Sequence, residues 1–292
     1  MEKFYSTGFT IGRFKNITRK KRTEEFLSFG YWEKNTKTYL DAANNLLHYF
    51  VEKSGIGRTQ KILSVACGYG TETFAVYDAF KPDRIEAIDV TEKHVQYANG
   101  KAATLNLADK IRFSHGDACK LDYPVAAFSL VLGIEGPVHF NTREAFFGSA
   151  YQVLGNNGNL LLMDIITGEK FAKATWLQRK ILAFTVKRWV VPKANWVDQA
   201  TYRQQLSKAG FTTRFITPIG DKVFPGYAKN GLSLRTIWIR MFQRGPGPTV
   251  GLTIISYLLG YLYKRGLIEY IYVKATKEPD SMPGLVPLPA AL

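Results

Sequence analysis

Two cysteines, Cys67 and Cys119, are all that 292 residues contain, so no disulfide framework holds the chain and a reducing compartment is its simpler home. The start of the sequence has no continuous apolar run of the kind a secretory signal needs. The longest uncharged stretch, 245–263, is interrupted by Pro246 and Pro248. That leaves 250–263, which is too short to span a bilayer. No internal repeat is present. These absences predict a cytoplasmic protein that meets a membrane peripherally if it meets one at all. Acidic residues are scarce too, with 24 Asp and Glu against 39 Lys and Arg and a formal charge of +15.

The basic excess is concentrated. Residues 1–22 carry +6, 169–193 carry +6 and 222–244 carry +5, which leaves the rest of the chain near −2. Basic segments interleaved with Phe, Trp and Tyr suit an anionic membrane surface, a phosphorylated substrate or nucleic acid. Solvated surface lysines would explain any one segment alone, but three at once ask for a partner.

What the sequence does have is a stretch around which the rest can be counted, Lys-Ile-Leu-Ser-Val-Ala-Cys-Gly-Tyr-Gly over 61–70. An apolar run of strand length ending in small residues, with a helix to follow, is the strand-turn-helix that opens a nucleotide-type αβ unit. A dinucleotide site wants a third glycine, and Gly68-Tyr69-Gly70-Thr71-Glu72-Thr73 lacks it. Glu72 also puts a carboxylate in the first helical turn, where a pyrophosphate would sit. A nicotinamide oxidoreductase is disfavoured on both counts, and a cofactor without phosphates fits better.

The segment Ala66-Cys67-Gly68-Tyr69-Gly70 resembles the first motif of class I S-adenosylmethionine-dependent methyltransferases, whose sulfonium cofactor tolerates nearby carboxylates. The resemblance implies that Ala66, Cys67, Gly68 and Gly70 cradle S-adenosylmethionine. Asp89 ends a second strand 19 positions beyond Gly70, near the spacing at which a carboxylate meets ribose hydroxyls. Val90 follows it, Thr91 reads as a helix cap, and His94 in the first turn would lie near the ribose. Gly116-Asp117-Ala118, after the third strand, resembles the segment that touches adenine, which assigns Asp117 and Ala118 to the cofactor. Two departures stand out. Ser64 occupies a position where most members carry an acid that helps hold the methionine ammonium, and Ser129 replaces the usual Asp of the fourth strand.

The expected fold is α/β, a Rossmann-like seven-stranded mostly parallel sheet with helices on both faces, plus an N-terminal helical cover and cap insertions. Residues 1–55 form a basic arm and helical cover, with helix over 22–51 interrupted by Phe29-Gly30-Tyr31-Trp32. Residues 56–219 and 267–278 form the methyltransferase core. Strands are predicted at 61–66, 85–89, 111–116, 128–134, 159–165, 211–219 and 267–277, the last antiparallel. Gly155-Asn156-Asn157-Gly158 reads as a turn. A cap helix spans 168–195, an insertion at 220–266 has a basic half and an apolar half, and a disordered tail follows from Pro279.

Ligands of open α/β sheets bind beyond the carboxyl ends of the strands. After the fourth strand the chain reads Glu135-Gly136-Pro137-Val138-His139-Phe140, resembling the Glu-x-x-x-His-Phe element of methyltransferases that act on sterols, tocopherols, isoprenoids and glycosylated natural products. That resemblance assigns catalysis to Glu135 and His139, and the Gly-Tyr-Trp element adds Tyr31. His139 would take a proton from a substrate OH or NH, and Glu135 would stabilise a carbocation if the acceptor is an alkene. Asp164, ending the fifth strand, is a further pocket candidate. No metal ligand set is expected. The acceptor is read as a lipophilic small molecule, with a prenyl diphosphate uniting apolar and basic insertions, and an oligomer is compatible with the sequence. Two alternatives stay open, a nucleic-acid methyltransferase and a catalytically silent lipid-binding protein on the same fold.

Overall fold

The computed structural model describes residues 26–279. The basic arm over 1–22 and the tail beyond Pro279 lie outside the described residues. Among the described residues the first helix, α1 (Tyr39–Ser54), begins at a capping box in which the Thr38 hydroxyl and the Asp41 carboxylate each accept from the other's backbone N–H. It ends at Gly55 in the left-handed conformation. Helix was expected from residue 22, but 26–38 is irregular. Gly30 adopts φ +77°, and a Cβ there would lie 2.7 Å from Ala42 Cβ, so the segment turns against α1 where a helix would not fit.

From Lys61 the chain alternates as β1 (Lys61–Val65), α2 (Thr71–Phe80), β2 (Arg84–Asp89), α3 (Glu92–Thr104), β3 (Ile111–His115), β4 (Phe128–Ile134), α4 (Arg143–Val153) and β5 (Leu154–Thr167). There follow α5 (Trp176–Trp189), α6 (Gln199–Lys208), β6 (Thr212–Pro218), α7 (Gly220–Gly231), α8 (Leu234–Arg244), α9 (Pro246–Lys264) and β7 (Ile268–Thr276). The sheet order is β3-β2-β1-β4-β5-β7-β6. β7 runs antiparallel to both β5 and β6, and the other neighbours are parallel. The seven-stranded, mostly parallel α/β sheet expected from the sequence is therefore the observed one.

Two apolar cores flank the sheet, as the near-continuous apolar runs of β1 and β4 require. One gathers Phe50, Phe74, Val95, Phe224 and Leu259 from α1, α2, α3, α7 and α9. The other gathers Phe146, Phe147, Tyr202 and Leu206 from α4 and α6.

Two boundaries differ from the expectation, and the 220–266 insertion stands where it was expected. The 155–158 turn is absorbed into β5, where pairing with β4 slips from Phe128↔Leu154 to Leu130↔Asn159, and Asn157 takes φ +60°. The cap helix is shorter than 168–195: α5 starts at a Thr175 capping box and stops at left-handed Val190, with single 3-10 turns at Phe171–Lys173 and Lys193–Asn195 beside it. The 220–266 insertion is three helices, in which α7 and α9 approach closely through small residues. A Cβ on Gly260 would sit 2.7 Å from Ala228 Cβ, and one on Gly231 would meet the Ser256 side chain. Among the described residues no helix is long and apolar enough to cross a membrane.

Candidate active site

Strands β1, β2, β3 and β4 end on one edge, and the strand order reverses between β1 and β4. That switch point opens a crevice between the two loops that leave it. The loop after β1 holds Ala66, Gly68 and Gly70 at positive φ (+52°, +53° and +78°). The loop after β4 holds Glu135 at φ +58°, and Gly136 is glycine because a Cβ there would lie 2.5 Å from Ala66 Cβ. Two strained turns thus pack back to back at the centre of the edge, a concentration typical of ligand sites.

The residues expected at a cofactor occupy this edge. Cys67 donates its N–H to Ile88 O at 3.0 Å, and burial pushes its thiol well up, so it is a wall and not a nucleophile. Asp89 is buried. Its Oδ2 accepts the Gly68 N–H at 2.9 Å, its Oδ1 accepts the Thr91 N–H at 2.9 Å, and His94 Nδ1 lies 3.2 Å from Oδ1. The carboxylate therefore ties the end of β2 to the glycine turn. Thr91 stands at the N-cap of α3, as its position suggested, but makes no side-chain capping bond, and its Oγ1 is buried with no hydrogen-bond partner. The His94 ring stands edge-on to Tyr69 at 4.5 Å. Val90 O accepts from His115 Nε2 at 3.1 Å. Asp117 Oδ1 accepts the Cys119 N–H at 2.9 Å and holds its loop, while Ala118 is buried below it. A glycine cradle, an orphaned hydroxyl beside a strand-end carboxylate and an aromatic wall fit an adenosyl group with ribose hydroxyls.

Ser64, in place of an acid, hydrogen-bonds Thr73 at 3.1 Å. Two other carboxyls, Glu135 and Glu72, stand at this edge. Glu135 Oε1 accepts from the Phe29 N–H and from Tyr270 Oη, both at 2.8 Å. Desolvation outweighs those donors and pushes Glu135 up to about 8, with Glu72 adding to the rise, and desolvation pushes Glu72 itself up to about 7. Both lie deep among protein atoms yet keep an accessible edge, as groups facing a crevice do.

His139 stands on the 3-10 turn Pro137–His139, where the Val190 and Trp189 carbonyls accept from it and desolvation drives it down to about 4. It is neutral at pH 7 and holds the end of α5. Tyr31 does not join Glu135 and His139, because its ring stacks on Tyr49 at 4.7 Å. The segment before it does: Leu27 covers Gly68, and Phe29 reaches Glu135. Asp164 is not a pocket residue. It is fully buried, takes Arg143 Nε at 2.7 Å and Tyr202 Oη at 3.1 Å, and welds β5 to α4 and α6. Ser129 ties β4 to Lys61 and Thr59 at the opposite end.

A small cavity of about 40 Å³ lies beside these groups, lined by Val138, Leu182, Trp189, Trp196, Leu259 and Ile268 among others, and its surface is almost wholly apolar. Phe29 links it to Glu135, since its ring lies 5.4 Å from that of Trp189. Tyr270, Phe29, Trp189 and Glu72 escaped the sequence motifs. Glu72 left a signal there, as a carboxylate in the first turn after the glycines, and Phe29 only as a neighbour of the Gly-Tyr-Trp element.

The profile of the family described as "Methyltransferase domain" matches residues 62–158, the stretch from β1 into β5. Erythromycin 3''-O-methyltransferase of Saccharopolyspora erythraea is 29% identical over 220 residues, 75% of this chain and 70% of that one. Sterol 24-C-methyltransferase of Kluyveromyces lactis is 30% identical over 164 residues, 56% of this chain and 43% of that enzyme. A geranyl diphosphate C-methyltransferase from Streptomyces coelicolor, solved with Mg2+, geranyl diphosphate and S-adenosyl-L-homocysteine, superposes with TM-score 0.66 over 81% of each chain at 12% identity, a likeness of fold. The glycine turn, the reversal of the sheet beside it and these sequence relationships lead to one conclusion: residues 62–158 are a methyltransferase domain of the class I kind, which uses S-adenosylmethionine as methyl donor.

Proposed function

We propose that this enzyme methylates a lipophilic small molecule, an isoprenoid, lipid or natural product that meets the apolar cavity with part of its surface, with Glu135 as its acid–base group. The observation that carries the reading is the cavity itself, walled by α5 and α9 and joined to Glu135 through Phe29 and Trp189. The macrolide and sterol enzymes with which it shares sequence carry acceptors of that class in their names.

Ala66, Cys67, Gly68 and Gly70 would carry the methionine part of the cofactor, Asp89, Val90 and His94 the ribose, and Asp117 and Ala118 the adenine. Bound there, S-adenosylmethionine supplies an electrophilic methyl group. The chain's own work is to place an acceptor oxygen, nitrogen or carbon in line with it, which contributes much of the rate, and to manage one proton. Glu135, at about 8, suits both halves of that task near neutral pH: ionised it takes a proton from an acceptor OH or NH, and the Tyr270 hydroxyl and Phe29 N–H fix which oxygen does so. With an alkene acceptor the same carboxylate faces developing positive charge. His139 acts through α5, holding the Trp189 and Val190 backbone and with it the Trp189 ring at the cavity wall.

Labelled methyl transfer from S-adenosylmethionine to a prenyl alcohol, a prenyl diphosphate, a sterol and a macrolide, against small amines and phosphoethanolamine, tests this. Incorporation concentrated in the lipophilic set, lowered about 10²–10⁴-fold by Glu135→Gln with S-adenosylhomocysteine binding retained, is expected. Equal transfer to small polar acceptors, or full activity in Glu135→Gln, would overturn it.

A further inference from the structure

One helix wears its apolar face outward. In α8 the side chains of Leu234, Trp238 and Phe242 recur every four residues and are 78%, 60% and 77% exposed, while Thr236, Ile237, Arg240, Gln243 and Arg244 are half-buried. No residue of α8 is buried. The Trp238 and Phe242 rings stack on each other at 5.5 Å. The first half of α9, packed beside α8, continues it with Val250, Ile254 and Tyr257, at 55%, 46% and 57% exposure. An apolar surface of this extent on one side of an enzyme marks a docking face.

Charge identifies what docks. Between Asp221 and Glu269 the chain has no acidic residue, while Lys229 and Arg235 are exposed there. Arg188 of α5, exposed in a second acid-free run between Glu169 and Asp198, reaches to 3.6 Å from where a Cβ on Gly251 would stand, at the start of the α9 stripe. Trp and Phe on one face with Arg and Lys around them match a lipid interface whose headgroups are negative. An acidic peptide fits less well, because Leu234, Trp238 and Phe242 follow one another at four-residue spacing with no charged side chain in the stripe itself.

We infer that α8 and the first half of α9 form a peripheral docking surface for an anionic lipid bilayer, inserting Leu234, Trp238 and Phe242 among the acyl chains. α8 also reaches the active site from its other side, since Arg244 at its end lies within electrostatic reach of Tyr69 on the glycine turn. The inference is independent of which acceptor the enzyme methylates, because vesicle binding is read with no acceptor present.

The experiment floats the full chain with vesicles of 3:1 phosphatidylcholine to phosphatidylserine and with pure phosphatidylcholine vesicles. Binding to the anionic vesicles is expected to be at least fivefold stronger, the factor that about 1 kcal/mol per basic side chain at the surface supplies, and to weaken between 50 and 500 mM salt. Acyl-chain bromination should quench tryptophan emission in the wild type and much less in Trp238→Phe, which separates this face from any other basic segment. Trp238→Glu with Phe242→Glu should lower partitioning at least tenfold while calorimetric binding of S-adenosylhomocysteine stays unchanged, which shows that the variant folds. No vesicle binding, indifference to lipid charge or to the double substitution, or self-association abolished by the double substitution in its place would each overturn the inference.

Discussion

At the scale of single residues, the site is short of negative charge only until Glu72 and Glu135 ionise. Both hold protons near neutrality because burial disfavours their charged forms, at about 7 and about 8. A sulfonium ligand reverses that preference, since positive charge nearby stabilises a carboxylate. S-adenosylmethionine binding at pH 7 should therefore release protons, and its affinity should climb as pH rises from 6 to 8. S-adenosylhomocysteine, lacking the sulfonium charge, should show a smaller release. Calorimetry in two buffers of different ionisation enthalpy measures the protons directly, and Glu72→Gln should remove part of them. Equal release for the two ligands would mean that neither carboxyl senses the sulfonium. Of these residues Glu135 was legible in the sequence, because its loop follows a recognisable strand. Its partners were not, since Phe29 lies 106 residues away and Tyr270 lies 135 away, and no local pattern announces a contact across such separations. Tyr31 shows the converse. Its motif is local and visible, but stacking on Tyr49 takes the ring to a different place.

At the scale of elements, the site is made where the turn after β1 meets the turn after β4. Gly136 is the point of contact, 2.5 Å from Ala66 if it carried a Cβ. Gly136→Ala should push the two turns apart, weaken S-adenosylmethionine binding at least tenfold and destabilise the fold by about 1–3 kcal/mol, the usual cost of overpacking. Gly148→Ala, on α4 where a Cβ meets nothing within 4 Å, is the control. It should leave binding alone and add stability by up to about 1 kcal/mol through helix propensity. Calorimetry and thermal unfolding of the two variants side by side decide the matter, and equal behaviour would show that the contact is not needed. Strand-helix alternation from 61 to 165 was readable because the β runs are apolar and bounded by glycine or polar turns. The β5 boundary was not, because β4 pairs with residues on both sides of the 155–158 excursion and so draws that turn into the strand. The outward stripe of α8 was half legible. Its basic content could be counted, but which side of the helix faces the protein is decided by α7 and α9.

At the scale of the whole molecule, the same buried groups set how stability depends on pH. His139 sits at about 4 in the fold against 6.5 ordinarily, so between those values the unfolded chain holds a proton that the native one lacks, and stability rises with pH. Glu72 and Glu135 act oppositely. Their ordinary value is 4.5, the fold keeps their protons to about 7 and about 8, and stability falls as pH climbs through that window. The opposing effects overlap below 6.5. Above it His139 contributes nothing further and the two carboxyls act unopposed, so the ligand-free enzyme should melt at progressively lower temperature from pH 6.5 to pH 8. Glu135→Gln removes one of the two protons and should flatten that slope. Saturating S-adenosylmethionine should flatten or reverse it, since the ligand binds the ionised site more tightly and stabilises the native state by mass action. Thermal unfolding at pH 6.5, 7.25 and 8, with and without cofactor, separates these contributions. A melting temperature that rises across the interval in the ligand-free wild type, or an identical slope in Glu135→Gln, would show that Glu135 is already ionised in the empty fold and that the cofactor meets a charge already in place.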